Sequence, residues 1–269
     1  MNGLAYPDIS PIIFSIGPIA VRWYSMAYLF GIAAAWFLIA GNIKKFKLPI
    51  SKEVLEDMVF YITLGIILGG RIGYVLFYGR DMFADNPLEV FAIWHGGMSF
   101  HGGIIGVIIA VCLVSKKYKY KFLSITDWVA LYAPIGIFCG RLANFVNDEL
   151  WGRITDVPWA VRFPTGGYLP RHPSQLYEAA LEGILLFAVL NLLWRKQWIR
   201  QHTGFTSGMF LLCYGIFRAF LEQFREPDAQ LGFIFAHITM GQLLSLPFIL
   251  LGLAVMFIGI KRKDIDLKL

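Results

Sequence analysis

The chain has 269 residues, of which 57% are hydrophobic and 16% charged, with 24 Lys and Arg against 18 Asp and Glu. This composition is far more apolar than that of an ordinary soluble domain, so it excludes a water-soluble globular protein. Apolar windows of about 20 residues recur along the chain, each long enough to cross a bilayer as a helix. Strands of a membrane barrel would be about half as long and would alternate apolar with polar residues, a pattern that is missing here. The sequence therefore predicts an all-α integral membrane protein.

We predict about seven transmembrane helices. The first lacks a basic leader and a small-residue cleavage site, so we interpret it as a retained helix and not as a removable signal peptide. In chain order the predicted spans are 19–40, 54–77, 98–114, 125–145, 175–194, 205–224 and 237–260.

The basic residues outside these spans are unevenly distributed. Fifteen Lys and Arg follow the first, third, fifth and seventh spans, and five lie on the opposite side. The positive-inside rule then places the N-terminus outside and the C-terminus in the cytoplasm. The net charge of +6 reflects this topology and anionic membrane lipid, so no nucleic acid is expected as a partner. The five outer residues are Arg80, Arg153, Arg162, Arg171 and Arg225.

Two longer segments, 78–97 and 146–174, lie on the outer side of this single polytopic domain. We predict an arm-like segment for the first. The second contains Pro, Gly, charged residues and four aromatic residues suited to the headgroup region, so we predict a small ordered cap. Cys112, Cys139 and Cys213 all fall within spans, which argues against a disulfide framework or a thiolate metal site.

Four arginines fall at membrane depth: Arg22, Arg71, Arg141 and Arg218. Each would cost about 2.5–3.5 kcal/mol at a helix centre. An arginine close to a helix end avoids this cost by extending to the headgroups, an alternative that stays open for Arg22. The other solution is a water-filled or headgroup-filled cavity inside the bundle.

Spacing favours the cavity for two of these helices. Arg218, Glu222 and Arg225 lie at i, i+4 and i+7, so they share one face near the outer end of span six. Arg141 and Asn144 share a face of span four at the same depth. Two converging guanidinium groups form a receptor for a phosphate, because each presents a planar fork to anionic oxygens. A purely structural network of interhelical ion pairs is the alternative.

A third motif, "HGGMSFHGGIIG" at 95–106, opens span three. His95 and His101 are each followed by paired glycines, which let a ligand or another backbone approach closely. Tight helix packing is the plainer interpretation, and it is the one that we favour for the glycines around Arg71. Neither histidine has a partner at ligand spacing, so no metal site is predicted.

These motifs together resemble the prolipoprotein diacylglyceryl transferase family. "GRLANFVNDELWG" at 140–152 matches the family signature, Gly-Arg-x-small-Asn-Phe-apolar-Asn-x-Glu-x-x-Gly, at every specified position. "GPIAVRWYSMAYL", "GGRIGY", "GGMSFHGG", "RHPSQLYEA" and "REPDAQLG" resemble the other family blocks in the expected order. The resemblance covers essentially the whole chain. His95 corresponds to no catalytic position of the family and remains unassigned.

The resemblance implies an enzyme of the bacterial cytoplasmic membrane that needs no cofactor. It would move the sn-1,2-diacylglyceryl group of phosphatidylglycerol to the thiol of the lipobox cysteine in a prolipoprotein signal peptide, releasing glycerol 1-phosphate. This is the first step of bacterial lipoprotein maturation. Membrane lipid and the signal peptide would be its partners.

The resemblance also assigns residues. His101 matches the histidine proposed as the base, and Arg141 and Arg218 would bind the phosphate and stabilise its charge. Glu149 and Glu222 would orient arginines, because a carboxylate beside a phosphate repels it. The remaining matched positions, expected at the lipid-binding site, are Tyr24, Asn144, Gly152 and Arg225.

Two other functions stay open on the residues alone. A transporter or flippase for an anionic lipid would also place arginines and glycine-interrupted helices in the membrane, but the spans show no inverted repeat. A non-catalytic assembly factor would leave the polar cluster without a purpose.

Overall fold

The computed structural model describes residues 3–17, 19–48, 50–77, 79, 86–91, 97–227, 233–235 and 238–261. Within these ranges helices predominate. They are α1 (Trp23–Phe46), α2 (Lys52–Phe77), α3 (Phe100–Tyr118), α4 (Phe122–Val146), α5 (Ser174–Trp194), α6 (Gln197–Arg200), α7 (Phe205–Leu221) and α8 (Met240–Lys261). A 3₁₀ turn covers Pro87–Phe91.

Short strands connect some of these helices. β2 and β3 form an antiparallel hairpin, β1 pairs in parallel with β4, β4 pairs with β5 in antiparallel fashion, and so does β6 with β7. The strands are β1 (Leu4–Ala5), β2 (Ile12–Ile16), β3 (Ile19–Arg22), β4 (Val161–Arg162), β5 (Pro170–Arg171), β6 (Phe233–Phe235) and β7 (Ile238–Thr239).

The predicted all-α membrane class is confirmed. Within the described part of the chain six helices, α1 to α5 and α8, are long and apolar enough to span a bilayer. The remaining predicted span corresponds to α7, which has 17 residues, the short end of the range for a membrane helix. The first span was placed too early: residues 19–22 form β3, and α1 begins at Trp23. Arg22 therefore pairs with Ile12 in a hairpin and does not lie within a helix.

Large apolar side chains on these helices are exposed. On α1, Phe30 is 64% and Phe37 66% exposed, and Leu250 on α8 is 58% exposed. A soluble helix would bury such residues, whereas a helix surrounded by lipid gains nothing from hiding them. The protein is a multi-pass membrane protein.

The chain divides into two compact units. Of the described residues, the first contains those up to Ala35 and those from Asp127 to Lys261, and the second contains Trp36–Thr126. The expected single polytopic domain stays a prediction.

In the second unit, α2 and α3 pack backbone to backbone through glycine. Gly69 lies against Gly102 and Gly106, and Gly65 lies against Gly106. Such contact between helices forms only where side chains are absent. Gly65, Gly69, Gly102 and Gly106 therefore serve helix packing.

Gly106→Ala should destabilise the second unit. Its new Cβ would overlap the Gly65 backbone, and overpacking of this kind costs typically 1–3 kcal/mol. Gly103→Ala on the same helix is the matched control, since its Cβ would lie 3.9 Å from the nearest atom, the Ile66 carbonyl oxygen. Thermal unfolding in detergent should show a lower midpoint for the first variant alone. Equal midpoints would contradict the packing role.

Arg71 has a structural environment in this unit. It is 3% exposed, and its guanidinium donates from Nε to the Val90 carbonyl oxygen at 3.0 Å and from Nη1 to that of Gly97 at 3.2 Å. Arg71 thus links two described residues of the predicted arm segment, Val90 and Gly97, to α2. Most of 78–97, including His95, lies outside the described residues.

In the first unit, Asp127 of α4 fixes the start of α7. Its carboxylate accepts hydrogen bonds from the backbone N–H of Gly204 and Ser207, each at 2.7 Å, and from Ser207 Oγ at 2.6 Å. A carboxylate from a neighbouring helix therefore performs the capping that satisfies free N–H groups at a helix start.

The segment 146–174, called here the cap segment, is ordered by buried side chains. Phe163 is fully buried, and Arg171 is 8% exposed. Arg171 donates to the carbonyl oxygens of Gly166 and Gly152 and pairs with Glu226 at 3.0 Å. Its guanidinium also lies over the Trp151 ring. Most of these contacts hold the cap segment together, and the pair with Glu226 joins it to the chain that follows α7.

Candidate functional site

The candidate site is centred on the buried carboxylate of Glu178 in α5. Three arginines converge on it: Arg141 Nε lies 3.0 Å from Oε2, and Nη1 of Arg218 and Nη1 of Arg225 lie 2.7 and 2.8 Å from Oε1. Glu178 is fully buried. A charge-assisted contact of this length is among the strongest polar interactions in proteins.

A second carboxylate, Glu222, holds two of the same arginines from the other side. It pairs with Arg218 Nη2, with Arg225 Nε at 3.2 Å, and accepts a hydrogen bond from Thr239 Oγ1 at 2.8 Å. Glu222 thus contacts two arginines, and the orienting role expected for it stays a prediction. Each of the two guanidinium groups is therefore fixed by two carboxylates.

Glu182, one turn after Glu178, completes the set. Arg141 Nη2 lies 3.4 Å from its Oε2. We call Arg141, Arg218, Arg225, Glu178, Glu182 and Glu222 the arginine–glutamate cluster.

Most of the arginine–glutamate cluster is buried, but part of it stays accessible. Glu178 and Glu182 are fully buried, and Glu222 is 4% exposed, whereas the side chains of Arg141 and Arg218 are each 18% exposed. The carboxylates are thus covered while the guanidinium groups keep an open edge. An incoming anion would meet the arginines first.

The helix that carries the two glutamates is irregular at this point. Residues Ala179–Leu185 of α5 adopt π-helical hydrogen bonding, between α-helical segments that end at Glu178 and resume at Leu186. Single π-helical turns are rare and occur frequently at functional sites. Gly183 in this stretch packs against Phe138 of α4, which brings α5 close to Arg141.

The cap segment fixes the end of α7 beside the cluster. Arg153 donates from Nε to the Arg225 carbonyl oxygen at 2.7 Å and from Nη2 to that of Glu222 at 3.2 Å. These carbonyls follow the last turn of α7 and have no partners within the helix. Arg153 therefore positions the backbone that carries Arg225.

The signature residues after Arg141 form a separate network. Asn144 Nδ2 donates to Glu149 Oε1 at 2.7 Å, and Asn147 Nδ2 lies 3.4 Å from the same oxygen. Gln175 Nε2 donates to the Glu149 carbonyl oxygen at 2.6 Å. Glu149 was expected to orient arginines, but in the structure its carboxylate holds the two amides.

Gly152 ends the signature in a confined position. Its N–H donates to the His172 carbonyl oxygen at 2.9 Å, and a Cβ there would overlap the Phe224 carbonyl oxygen and His172. Gly152 also bridges to Arg225 in antiparallel fashion. The glycine thus lets the cap segment approach the chain that carries Arg225.

Two further predicted residues, Tyr24 and His101, belong to different compact units. Tyr24 is on α1 in the first unit, with its ring 5.3 Å from that of Tyr28. His101 is in the second unit, in the first turn of α3 after the capping residue Ser99, and its side chain is exposed.

His172 of the cap segment should make the stability of the protein depend on pH. Its ring packs against Tyr177 and Phe224, and Nδ1 lies 3.2 Å from the Tyr177 hydroxyl. Burial lowers the pKa of the His172 imidazole below its usual value of 6.5. As the pH falls below 6.5, the unfolded chain binds a proton more readily than the folded chain does. The contribution of neutral His172 to stability should therefore be fully present above this pH and be lost on acidification.

We expect the unfolding temperature to fall between about pH 7 and pH 5, and to fall less in a His172→Gln variant, because that variant lacks the titrating group. Thermal unfolding in detergent across this range would measure both slopes. Identical slopes would show that His172 contributes nothing.

Comparisons with known proteins identify the family of this chain. The family model for prolipoprotein diacylglyceryl transferase matches residues 11–258. The chain belongs to the prolipoprotein diacylglyceryl transferase family. Three relatives are named phosphatidylglycerol–prolipoprotein diacylglyceryl transferase. One from Pasteurella multocida is 52% identical over 96% of this chain and 95% of its own length. One from Mannheimia succiniciproducens is 51% identical over 97% of each chain, and one from Pseudomonas paraeruginosa is 49% identical over 96% of this chain and 97% of its own.

Membership of the prolipoprotein diacylglyceryl transferase family, predicted from the signature, is confirmed. The sequence motifs nevertheless did not predict two charged residues of the cluster. Glu178 and Glu182 lie in an apolar span four residues apart, and the rule applied to the arginines, that a charge inside the membrane marks a site, applies equally to carboxylates. Counting acidic residues within spans would have found both.

Proposed function

We propose that the protein transfers the sn-1,2-diacylglyceryl group of phosphatidylglycerol to the lipobox cysteine thiol of a prolipoprotein signal peptide. The products are a thioether-linked diacylglyceryl prolipoprotein and glycerol 1-phosphate. Family membership supports the reaction class. The observation that carries the proposal is the convergence of three arginines on the buried carboxylate of Glu178, with their outer edges accessible.

The arginines suit a phosphodiester. Arg141 and Arg218 come from different helices, α4 and α7, and each is held by a carboxylate through part of its guanidinium. The remaining N–H groups can donate to phosphate oxygens in the bidentate geometry that guanidinium favours. We assign these two residues to phosphate binding and to stabilisation of the departing charge.

The chemistry is a displacement at the glycerol carbon that carries the phosphate ester. The thiol sulfur forms a bond to this carbon, the carbon–oxygen bond breaks, and its electron pair stays on the phosphate oxygen. The developing negative charge falls beside the arginines, where fixed positive groups lower the barrier. The thiolate is the nucleophile, so the thiol proton has to leave.

Supporting roles follow from the contacts. Glu222 holds both Arg218 and Arg225 in place, and Asn144 with Glu149 orders the end of α4 beside Arg141. Gly152 brings the cap segment close to Arg225. We assign Tyr24 to a hydrogen bond with the lipid.

We place the enzyme in the bacterial cytoplasmic membrane. The excess of basic residues after the first, third, fifth and seventh spans orients the C-terminus toward the cytoplasm. A translocated signal peptide presents its cysteine at the outer interface, where the arginine-bearing ends of spans four and six are expected.

Mass spectrometry of a synthetic lipobox peptide tests the reaction. The purified protein is incubated with phosphatidylglycerol in detergent and with either the cysteine peptide or a peptide with serine in its place. We expect a diacylglyceryl mass gain on the cysteine peptide alone, together with released glycerol phosphate. Folded, lipid-supplied protein that adds no mass would overturn the proposal.

The role of His101 as the base is tested separately. If His101 removes the thiol proton, His101→Gln should lower turnover about 10²–10⁴-fold at neutral pH, the usual contribution of a general base. Raising the pH should restore part of this loss, because more thiol then ionises without help. Near-normal turnover at neutral pH would instead leave the arginines alone to activate the thiol.

A further inference from the structure

Glu182 is held differently from the other two carboxylates of the arginine–glutamate cluster. Glu178 contacts three arginines, and Glu222 contacts two arginines and a hydroxyl. Glu182 has one charged contact, from its Oε2 to Arg141 Nη2 at 3.4 Å, and its Oε1 has neither a hydrogen bond nor an ion pair with the described residues. Yet it is fully buried. A buried carboxylate with so few partners is the one whose negative charge is least stabilised.

The charges of the cluster cancel when all its members are ionised. Three arginines contribute three positive charges, and three glutamates contribute three negative charges. A phosphodiester adds one more negative charge, so its arrival would leave an uncompensated anion in a covered site. An uncompensated charge buried in this way is unfavourable unless it is neutralised. One added proton restores the balance.

The groups that face Glu182 identify it as the place for that proton. Arg141 lies on α4, Tyr214 and Arg218 lie on α7, and Glu178 precedes it by one turn on its own helix. Arg141 and Arg218 also contact Glu178, and both are the groups assigned to the phosphate. When phosphate oxygens draw these guanidinium groups toward them, Glu182 loses attraction while it still feels repulsion from Glu178.

We propose that Glu182 carries a proton whenever an anionic phosphate occupies the arginine–glutamate cluster. This inference rests on the proposed function, in which the cluster receives the lipid phosphate. Glu182 is then a positioning residue that tunes the charge of the site, and lipid binding is linked to proton uptake. As part of this proposal, Glu182 is ionised in the lipid-free protein at the upper end of the pH range tested below, so that each bound lipid takes up one proton there.

Calorimetry with the unmodified protein counts that proton. Water-soluble dihexanoyl phosphatidylglycerol is titrated into the full-length protein in detergent, in two buffers with different ionisation enthalpies, between pH 6 and pH 9. We expect proton uptake that rises with pH toward one per lipid. Lipid affinity should fall with rising pH, by up to about tenfold per pH unit, as the linkage of one proton requires. Binding without proton exchange over the whole range would overturn the inference.

A Glu182→Gln variant identifies the proton-binding group, because its amide stays neutral at every pH. We expect its lipid affinity to vary little between pH 6 and pH 9 and to exceed that of the unmodified protein at pH 9 by about tenfold or more. Glu226→Gln is the matched variant, since Glu226 pairs with Arg171 at 3.0 Å outside the cluster and leaves its charge balance intact, so this variant should keep the pH-dependent affinity. A Glu182→Gln variant with the original pH dependence would also overturn the inference.

Arg141→Ala separates this inference from the proposed function. If that variant binds the lipid as tightly as the unmodified protein, the phosphate does not occupy the cluster, and both proposals fail. If binding depends on Arg141 but no proton is exchanged, only the role of Glu182 fails. Dependence on Arg141 together with proton uptake supports both.

Discussion

Arg218→Lys should lower kcat/KM at least about 100-fold, or about 2.7 kcal/mol of transition-state stabilisation, although the positive charge is retained. Arg218 contacts Glu178 through Nη1 and Glu222 through Nη2, and its remaining donors are assigned to the phosphate. A lysine ammonium is a single point of charge and cannot donate in two fixed directions while facing a third group. Diacylglyceryl transfer to a lipobox peptide, followed by mass spectrometry, would measure the loss.

Arg200→Lys is the matched control for this prediction. Arg200 Nη1 donates to the carbonyl oxygens of Trp194 and Arg195 at 3.0 and 2.6 Å, outside the arginine–glutamate cluster. An ammonium group can donate to such carbonyls as well, so kcat/KM should change by no more than about twofold. Arg218→Lys kinetics like those of the unmodified protein would exclude the phosphate-binding role of Arg218.

Glu178→Gln should destabilise the first unit by about 3–5 kcal/mol, the usual cost of removing one partner from a buried ion pair. The change keeps the shape of the side chain but removes the charge that Arg141, Arg218 and Arg225 share. Only Glu182 and Glu222 then remain to balance the three guanidinium groups, which repel one another and no longer hold their positions. Loss of diacylglyceryl transfer should accompany the fall in unfolding temperature.

Glu226→Gln tests whether this effect comes from burial. Glu226 pairs with Arg171 at 3.0 Å, but its side chain is 43% exposed. Because solvent screens such a pair, its loss should cost less than about 1 kcal/mol. Thermal unfolding of both variants in the same detergent would compare the two costs, and equal shifts would contradict the central role of Glu178.

Much of the fold follows from local sequence. The membrane class and most helix positions depend on runs of apolar residues, which act within one helix and need no knowledge of its neighbours. The hairpin before α1 was missed because β2 and β3 are as apolar as a membrane helix and differ from it only in their pairing. Composition cannot distinguish a short apolar strand from the start of an apolar helix.

The arginines of the site were also predictable, because a charge in an apolar span is conspicuous and the spacing of Arg218, Glu222 and Arg225 places them on one helical face. Their shared partner, Glu178, could not be predicted from the sequence. Glu178 lies 37 residues after Arg141 and 40 before Arg218 in sequence, and only helix packing brings its carboxylate to both.

The sequence by itself determined that this chain is a helical membrane protein of the prolipoprotein diacylglyceryl transferase family, and which arginines enter the membrane. Hydrophobicity and the signature are local properties, so they can be recognised without coordinates. Only the tertiary structure decided that Glu178 joins three arginines, that Glu149 holds amides and that Glu182 stays poorly paired. Those facts depend on distances between helices, and side chains far apart in sequence meet only when the helices pack.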